Sequence, residues 1–139
     1  MVLSGSNARL QLWNGAGKQA LAYTGGVNTA AWSPDSLYLA WGNDDRTVQV
    51  WKVTEQSAAQ AIYQWHRGPV QAVAWSPDGK YLASGSSDRT VFVYEVFAQS
   101  ATFVYHGHKG IVEAVAWSPD GKYIASCGYD TSVQVWQAL

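Results

Sequence analysis

Apolar and polar residues alternate along this chain in short runs. VQAVAW (70–75), KYLASGS (80–86), TVFVYEV (90–96) and SATFVYH (100–106) are four such runs in succession. A period of two sends successive side chains to opposite faces, which is the signature of a strand. Clusters of Gly, Ser, Asn and Asp separate the runs. In the SPDG turn after Trp75, Pro77 presets φ and Gly79 tolerates a positive φ, so the chain reverses sharply. Ser87 and Asp88 form the next tight turn, and a longer polar loop leads to the fourth run. No apolar period of 3.6 residues is sustained anywhere. The pattern predicts an all-β chain of four-stranded antiparallel meanders.

The pattern also repeats. AVAWSPDGKYLASGSSDRT (72–90) returns as AVAWSPDGKYIASCGYDTS (114–132) and, more loosely, as TAAWSPDSLYLAWGNDDRT (29–47). The WSPD cores begin at Trp32, Trp75 and Trp117, and the closing aromatics Trp51, Tyr94 and Trp136 keep the same offsets of 43 and 42. SGSNARLQLW (4–13) matches SGSSDRTVFVY (84–94) with one residue missing. A period near 42 marks a repeat architecture. It predicts one partial array: a partial unit over 1–24, whole units over 27–65 and 70–106, and a unit over 110–139 that lacks its outer strand. First strands carry small residues (Ala30, Ala31, Ala72, Ala74, Ala114, Ala116), and third strands carry bulky ones such as Val91, Phe92, Val93 and Tyr94. Wedge-shaped sheets of this kind suit the radial blades of a propeller better than a flat sandwich.

These residues resemble the WD-repeat, or β-transducin-like, family. Its Gly-His dipeptide has a counterpart in Gly107-His108. Its closing Trp-Asp is degenerate here, as Trp136-Gln137, Trp51-Lys52 and Tyr94-Glu95. The SPDGKYLASGSSDRTV wording is similar to the near-identical repeats of bacterial members, and the resemblance covers essentially the whole chain. It implies a buried structural tetrad of His108, Ser126, Asp130 and Trp136, and one period earlier of His66, Ser84, Asp88 and Tyr94. A Ser-His-Asp set also has the composition of an acyl-transfer triad. Its recurrence in successive blades points instead to hydrogen-bond networks that satisfy buried polar groups. The blade around Trp32 has YTGGV where the His belongs and Trp41 at the Ser position. Asp45 and Trp51 are therefore expected to lack their partners, and this blade to be the least rigid.

Composition narrows the function. The formal net charge is −1, and the nine Lys and Arg residues are scattered, which argues against nucleic acid as a partner. No apolar run approaches membrane-spanning length and no signal pattern opens the chain, so no membrane partner is expected. The single Cys127 cannot form an internal disulfide, and cytoplasmic localisation is the default. No Cys/His spacing of a zinc site, glycine-rich phosphate loop or GxSxG elbow appears, so no metal, cofactor or enzymatic activity is expected.

Closed propellers use about four to eight blades, and about three and a half are readable here. An open arc exposes both end faces. Four strands about 4.8 Å apart and about 20 Å long present about 400 Å², and covering half of one face with apolar contact contributes about 5 kcal/mol. The expectation is roughly half a propeller per chain, closed into a ring by oligomerisation, with a homodimer favoured and rings of six, seven or eight blades all conceivable. Family members commonly stop after a third strand and borrow the fourth from the other end of the ring. The function this implies is a non-enzymatic scaffold for protein–protein interaction. The alternatives are a purely structural self-assembly unit, natural or engineered, or the C-terminal portion of a longer WD-repeat protein without its own ligand. The family fold places the second-to-third strand turns and the inter-blade loops on one face. The candidate partner-binding residues there are Arg46, Arg67, Arg89, Lys109 and Tyr129, since Arg and aromatic anchors dominate interface energetics.

Overall fold

The computed structural model describes residues 2–4, 9–13, 15–17, 19–55, 58–98 and 100–138. Residues 5–8 of the opening partial repeat, Lys18 and Leu139 lie outside the described residues. The fourteen described strands pair only in antiparallel sheets that follow chain order. The first sheet holds β1 (Val2–Ser4), β2 (Arg9–Trp13) and β3 (Gln19–Thr24). The second holds β4 (Val27–Trp32), β5 (Tyr38–Asn43), β6 (Val48–Lys52) and β7 (Ala61–Tyr63). The third holds β8 (Val70–Trp75), β9 (Tyr81–Ser86), β10 (Val91–Glu95) and β11 (Ala101–Tyr105). The fourth holds β12 (Val112–Trp117), β13 (Tyr123–Gly128) and β14 (Val133–Gln137).

The SPD turns close each first hairpin by the same device. Ser76 Oγ donates to Asp78 Oδ1 at 2.6 Å, while the amides of Lys80 and Tyr81 donate to Asp78 Oδ1 and Ser76 Oγ. Ser118 with Asp120, and Ser33 with Asp35, repeat it. The turn needs one left-handed residue. Gly79 and Gly121 supply it at φ 72° and 73°, but in the second sheet Ser36 is forced to φ 62°.

The sheets stack with their first strands side by side, β4 against β8 and β8 against β12. Each joint buries the same positions one period apart. Ala40, Val48 and Val50 pack on Val70, Val73, Trp75, Leu82 and Tyr94. Ala83, Val91 and Val93 pack on Val112 and Ile124, with Val115, Trp117 and Trp136 alongside. Leu10 and Leu12 of β2 play the valine part for Val27, Leu39 and Trp41. Each buried valine or leucine contributes about 1.5–3 kcal/mol.

Two further features lock the joints. The indole N–H of Trp75 donates to the carbonyl of Ala31 at 3.1 Å, and that of Trp117 to Ala74 at 3.1 Å. Strand interiors seldom favour glycine, but a Cβ at Gly85 would lie 2.6 Å from Val112 Cγ1, and one at Gly42 would collide with Val70 in the same way. These glycines let the next sheet's first valine reach bare backbone.

Candidate functional site

The turns joining second to third strands are built around an aspartate. Asp88 Oδ1 accepts from the Thr90 amide and hydroxyl at 2.9 and 2.5 Å, and Asp130 Oδ1 accepts from the Ser132 amide and hydroxyl at 3.1 and 2.7 Å. The other carboxylate oxygen faces a histidine: His66 Nδ1 lies 2.9 Å from Asp88 Oδ2 and His108 Nδ1 2.8 Å from Asp130 Oδ2. A carboxylate only accepts, so Nδ1 carries the proton, and in the neutral ring Nε2 accepts in turn from the serine hydroxyl. Those contacts are 2.8 Å to Ser84 and 2.7 Å to Ser126. In the fourth sheet the Trp136 indole N–H donates to Ser126 Oγ at 3.4 Å, the longest link of the chain. In the third sheet Tyr94 occupies that place, and its buried hydroxyl lies beside Ser84 but outside good hydrogen-bond geometry. Burial pushes the Tyr94 phenol far up, and the nearby Ser84 offsets only part of this.

For Asp88, burial alone would raise the pKa. The hydrogen bonds from His66, Thr90 and the Arg67 amide outweigh it and hold the carboxyl well below the usual range. Asp130 is lowered chiefly by Ser132 and the Lys109 amide, with His108 adding to the effect.

In the blade around Trp32, Asp45 and Trp51 lack the histidine and serine of the other blades, and each takes a different partner. Asp45 Oδ1 accepts from the Thr47 amide and hydroxyl at 3.0 and 2.6 Å, and the Trp51 indole donates to Gln49 Oε1 at 3.1 Å. Gln49 in turn donates to the Tyr23 hydroxyl at 3.2 Å, and the Trp41 ring fills the missing histidine–serine volume between Tyr23 and Trp51 at centroid distances of 5.2 and 5.5 Å. Among the described residues Trp41 Nε1 and Asn43 Oδ1 are buried without a hydrogen-bond partner.

The same aspartates join two loops into one rim. The amide of Arg67 donates to Asp88 Oδ2 at 2.8 Å and that of Lys109 to Asp130 Oδ2 at 3.0 Å. Gly68 and Gly110 permit the approach, since a Cβ at Gly110 would lie 2.8 Å from the Asp130 amide nitrogen. Arg67 and Arg89 therefore flank Asp88, and Lys109 and Tyr129 flank Asp130, with all four side chains exposed. Arg46 is exposed on the corresponding turn of the second sheet. Arg46 and Arg89 have φ of 74° and 73°, a left-handed conformation that leaves their side chains on the tight turn's outer side. Beside Arg46 lies an open polar depression of about 490 Å³, lined by Asp44, Asp45, Thr47, Gln64 and His66. Reading the residues singly did not reveal this depression. The adjacent acidic pair Asp44-Asp45 was its only trace in the sequence.

Four-stranded antiparallel meanders stacked by their first strands, with loops tied by Asp–His–Ser networks, define propeller blades. Residues 18–52, 58–95 and 99–137 each match the family model described as WD domain, G-beta repeat. The chain belongs to that WD-repeat family, whose members are typically non-catalytic scaffolds for protein interaction. No curated protein matches it. Among the described residues no helix is long and apolar enough to cross a membrane.

Proposed function

We propose that this chain is a non-enzymatic, cytoplasmic interaction scaffold whose blades are closed into a ring by a second copy of itself and whose rim docks a protein partner. The observation that carries the docking part is the rim itself. In the third and fourth sheets the carboxylates of Asp88 and Asp130 pin two loops together, and Arg67, Arg89, Lys109 and Tyr129 project from them into solvent, with Arg46 exposed on the matching turn of the second sheet. Anchors held on rigid turns lose little entropy on binding. The Ser–His–Asp sets act structurally: Ser84 and Ser126 are buried, which leaves an acyl substrate no approach to their hydroxyls.

The rim is tested by affinity capture from the source cytosol with wild-type chain and Arg89→Glu, with both proteins first shown to unfold at the same temperature. A partner retained by wild type and lost by the variant supports the rim. Equal recovery by both removes Arg89 from it.

A further inference from the structure

The two flanks of this array carry the halves of a joint that the molecule already forms twice. On the outer side of the fourth sheet, Val133 and Val135 are 73% and 67% exposed, whereas Val91 and Val93, one period earlier, are fully buried. Tyr123 is 49% exposed, while its counterparts Tyr38 and Tyr81 lie over Trp75 and Trp117 with ring centroids 6.5 and 6.4 Å apart. A shallow apolar depression of about 130 Å³ lies between Ala114, Ala116, Ala125 and Val133. At the other end Trp32 is 37% exposed and, among the described residues, its indole N–H makes no hydrogen bond. Its counterparts Trp75 and Trp117 reach the carbonyls of Ala31 and Ala74. The next carbonyl in that series belongs to Ala116, on the exposed flank.

The first sheet covers Val27, Leu39 and Trp41 with Leu10 and Leu12 of β2, which correspond in the repeat to Val133 and Val135, and with Tyr23 of β3. Among the described residues its β1–β2–β3 order holds no counterpart of the first strand, the element that bears the accepting carbonyl. β2 therefore occupies the place that β14 is shaped to take.

We infer that two copies join by strand exchange: β12–β13–β14 of one copy displaces β1–β2 of the other and pairs β14 with that copy's β3. The inference rests on the ring-closing reading above. The register follows from the pairs already present. Leu10 lies opposite Tyr23 on β3, as Val91 does opposite Tyr105, so Val133 comes to lie opposite Tyr23 of the second copy. The indole of Trp32 then donates to Ala116 of the second copy and stacks near its Tyr123. Two such seams give six four-stranded blades. With about 400 Å² per blade face, the copies share about 1,600 Å² in all, the size of a stable protein interface, of which about half replaces the cover that β1–β2 gives within one copy.

One position opposes the fit. Where Gly42 and Gly85 receive Val70 and Val112, the fourth sheet has Cys127, so the incoming Val27 must shift outward. Removing that side chain tightens a blade-type seam.

Sedimentation of the 139-residue chain over a concentration series tests this, together with hydrogen exchange of the tryptophan indoles. Wild type is expected at twice 15.1 kDa. Val135→Asp is expected to be monomeric with unchanged circular dichroism, and Cys127→Gly to dimerise several-fold more tightly. Leu10→Asp weakens only the strand that is displaced, so it is expected to tighten the dimer at least tenfold, and if the monomer unfolds, the dimer becomes the folded form. The Trp32 indole exchanges as slowly as Trp75 and Trp117 in the dimer. A monomeric or trimeric wild type overturns the exchange and the two-copy ring together. A wild-type dimer that Leu10→Asp weakens, or that leaves Trp32 in fast exchange, overturns the exchange alone, because β1–β2 then stays in place. A Val135→Asp dimer excludes this flank.

Discussion

Replacing Ser84 by alanine separates a structural network from a catalytic one. Ser84 is fully buried between His66 and Tyr94, and its hydroxyl lies 2.8 Å from His66 Nε2. The alanine methyl fits the site but leaves that nitrogen unpaired in the interior, which costs about 1–3 kcal/mol. Against a total stability of about 5–15 kcal/mol, this is a large fraction. For a chain of this length each kcal/mol moves the midpoint by about 3–5 °C, so a drop of about 3–15 °C is expected. Urea unfolding at neutral pH, with the slope compared to confirm that the exposed area is unchanged, measures the loss. Hydrolysis of a small activated ester is followed in parallel. A stability change under about 0.5 kcal/mol would show that the hydroxyl is not part of the network. An esterase activity that vanishes in the variant at unchanged stability would refute the structural assignment altogether.

Tyr94→Phe removes a buried hydroxyl that lies outside good hydrogen-bond geometry and is expected to be neutral or stabilising by up to about 1–2 kcal/mol in the same assay; clear destabilisation would mean that the hydroxyl completes the network. Ser36→Gly relieves the one non-glycine left-handed residue among the SPD turns and is expected to gain about 0.5–1 kcal/mol, since the strain relieved slightly exceeds the added chain entropy; a lower melting temperature would contradict it. Asp88 and Asp130 are held below their unfolded values, so the stability they contribute is complete above about pH 4 and drains away as the pH falls further towards their folded values. Asp88→Asn should accordingly be less stable than wild type at neutral pH, with the gap narrowing in urea titrations below about pH 4; a gap that stays constant with pH would show that ionisation of Asp88 is not involved.

The strands were legible because turn chemistry and a period near 42 agree at every level: the SPD turns fall where Ser76, Asp78 and Gly79 close a hairpin, and the alternating runs fall on β8 to β11. The resemblance also pointed to the Asp–His–Ser contacts, since each depends on residue types recurring at fixed offsets. The joints between sheets were harder to read. Trp75 and Trp117 are visible as repeating residues, but that their indoles reach carbonyls one blade away depends on how the sheets stack. Gly42 and Gly85 could have signalled the joint, because glycine inside a strand marks close backbone approach, and Cys127 at the third position breaks the series. The second sheet defeated reading by analogy. With histidine and serine missing, Gln49 and the Trp41 ring rebuild the interior through rotamers that a motif does not encode.

The indole links also bear on how the array responds to force. Each passes from one sheet's first strand to the next, so tension on the chain meets a series of similar catches rather than one large core. Pulled from its ends, the molecule should yield sheet by sheet, each whole repeat adding about 140 Å of slack as extended chain, and a sawtooth with shorter teeth from the two three-stranded end sheets would be its mechanical fingerprint.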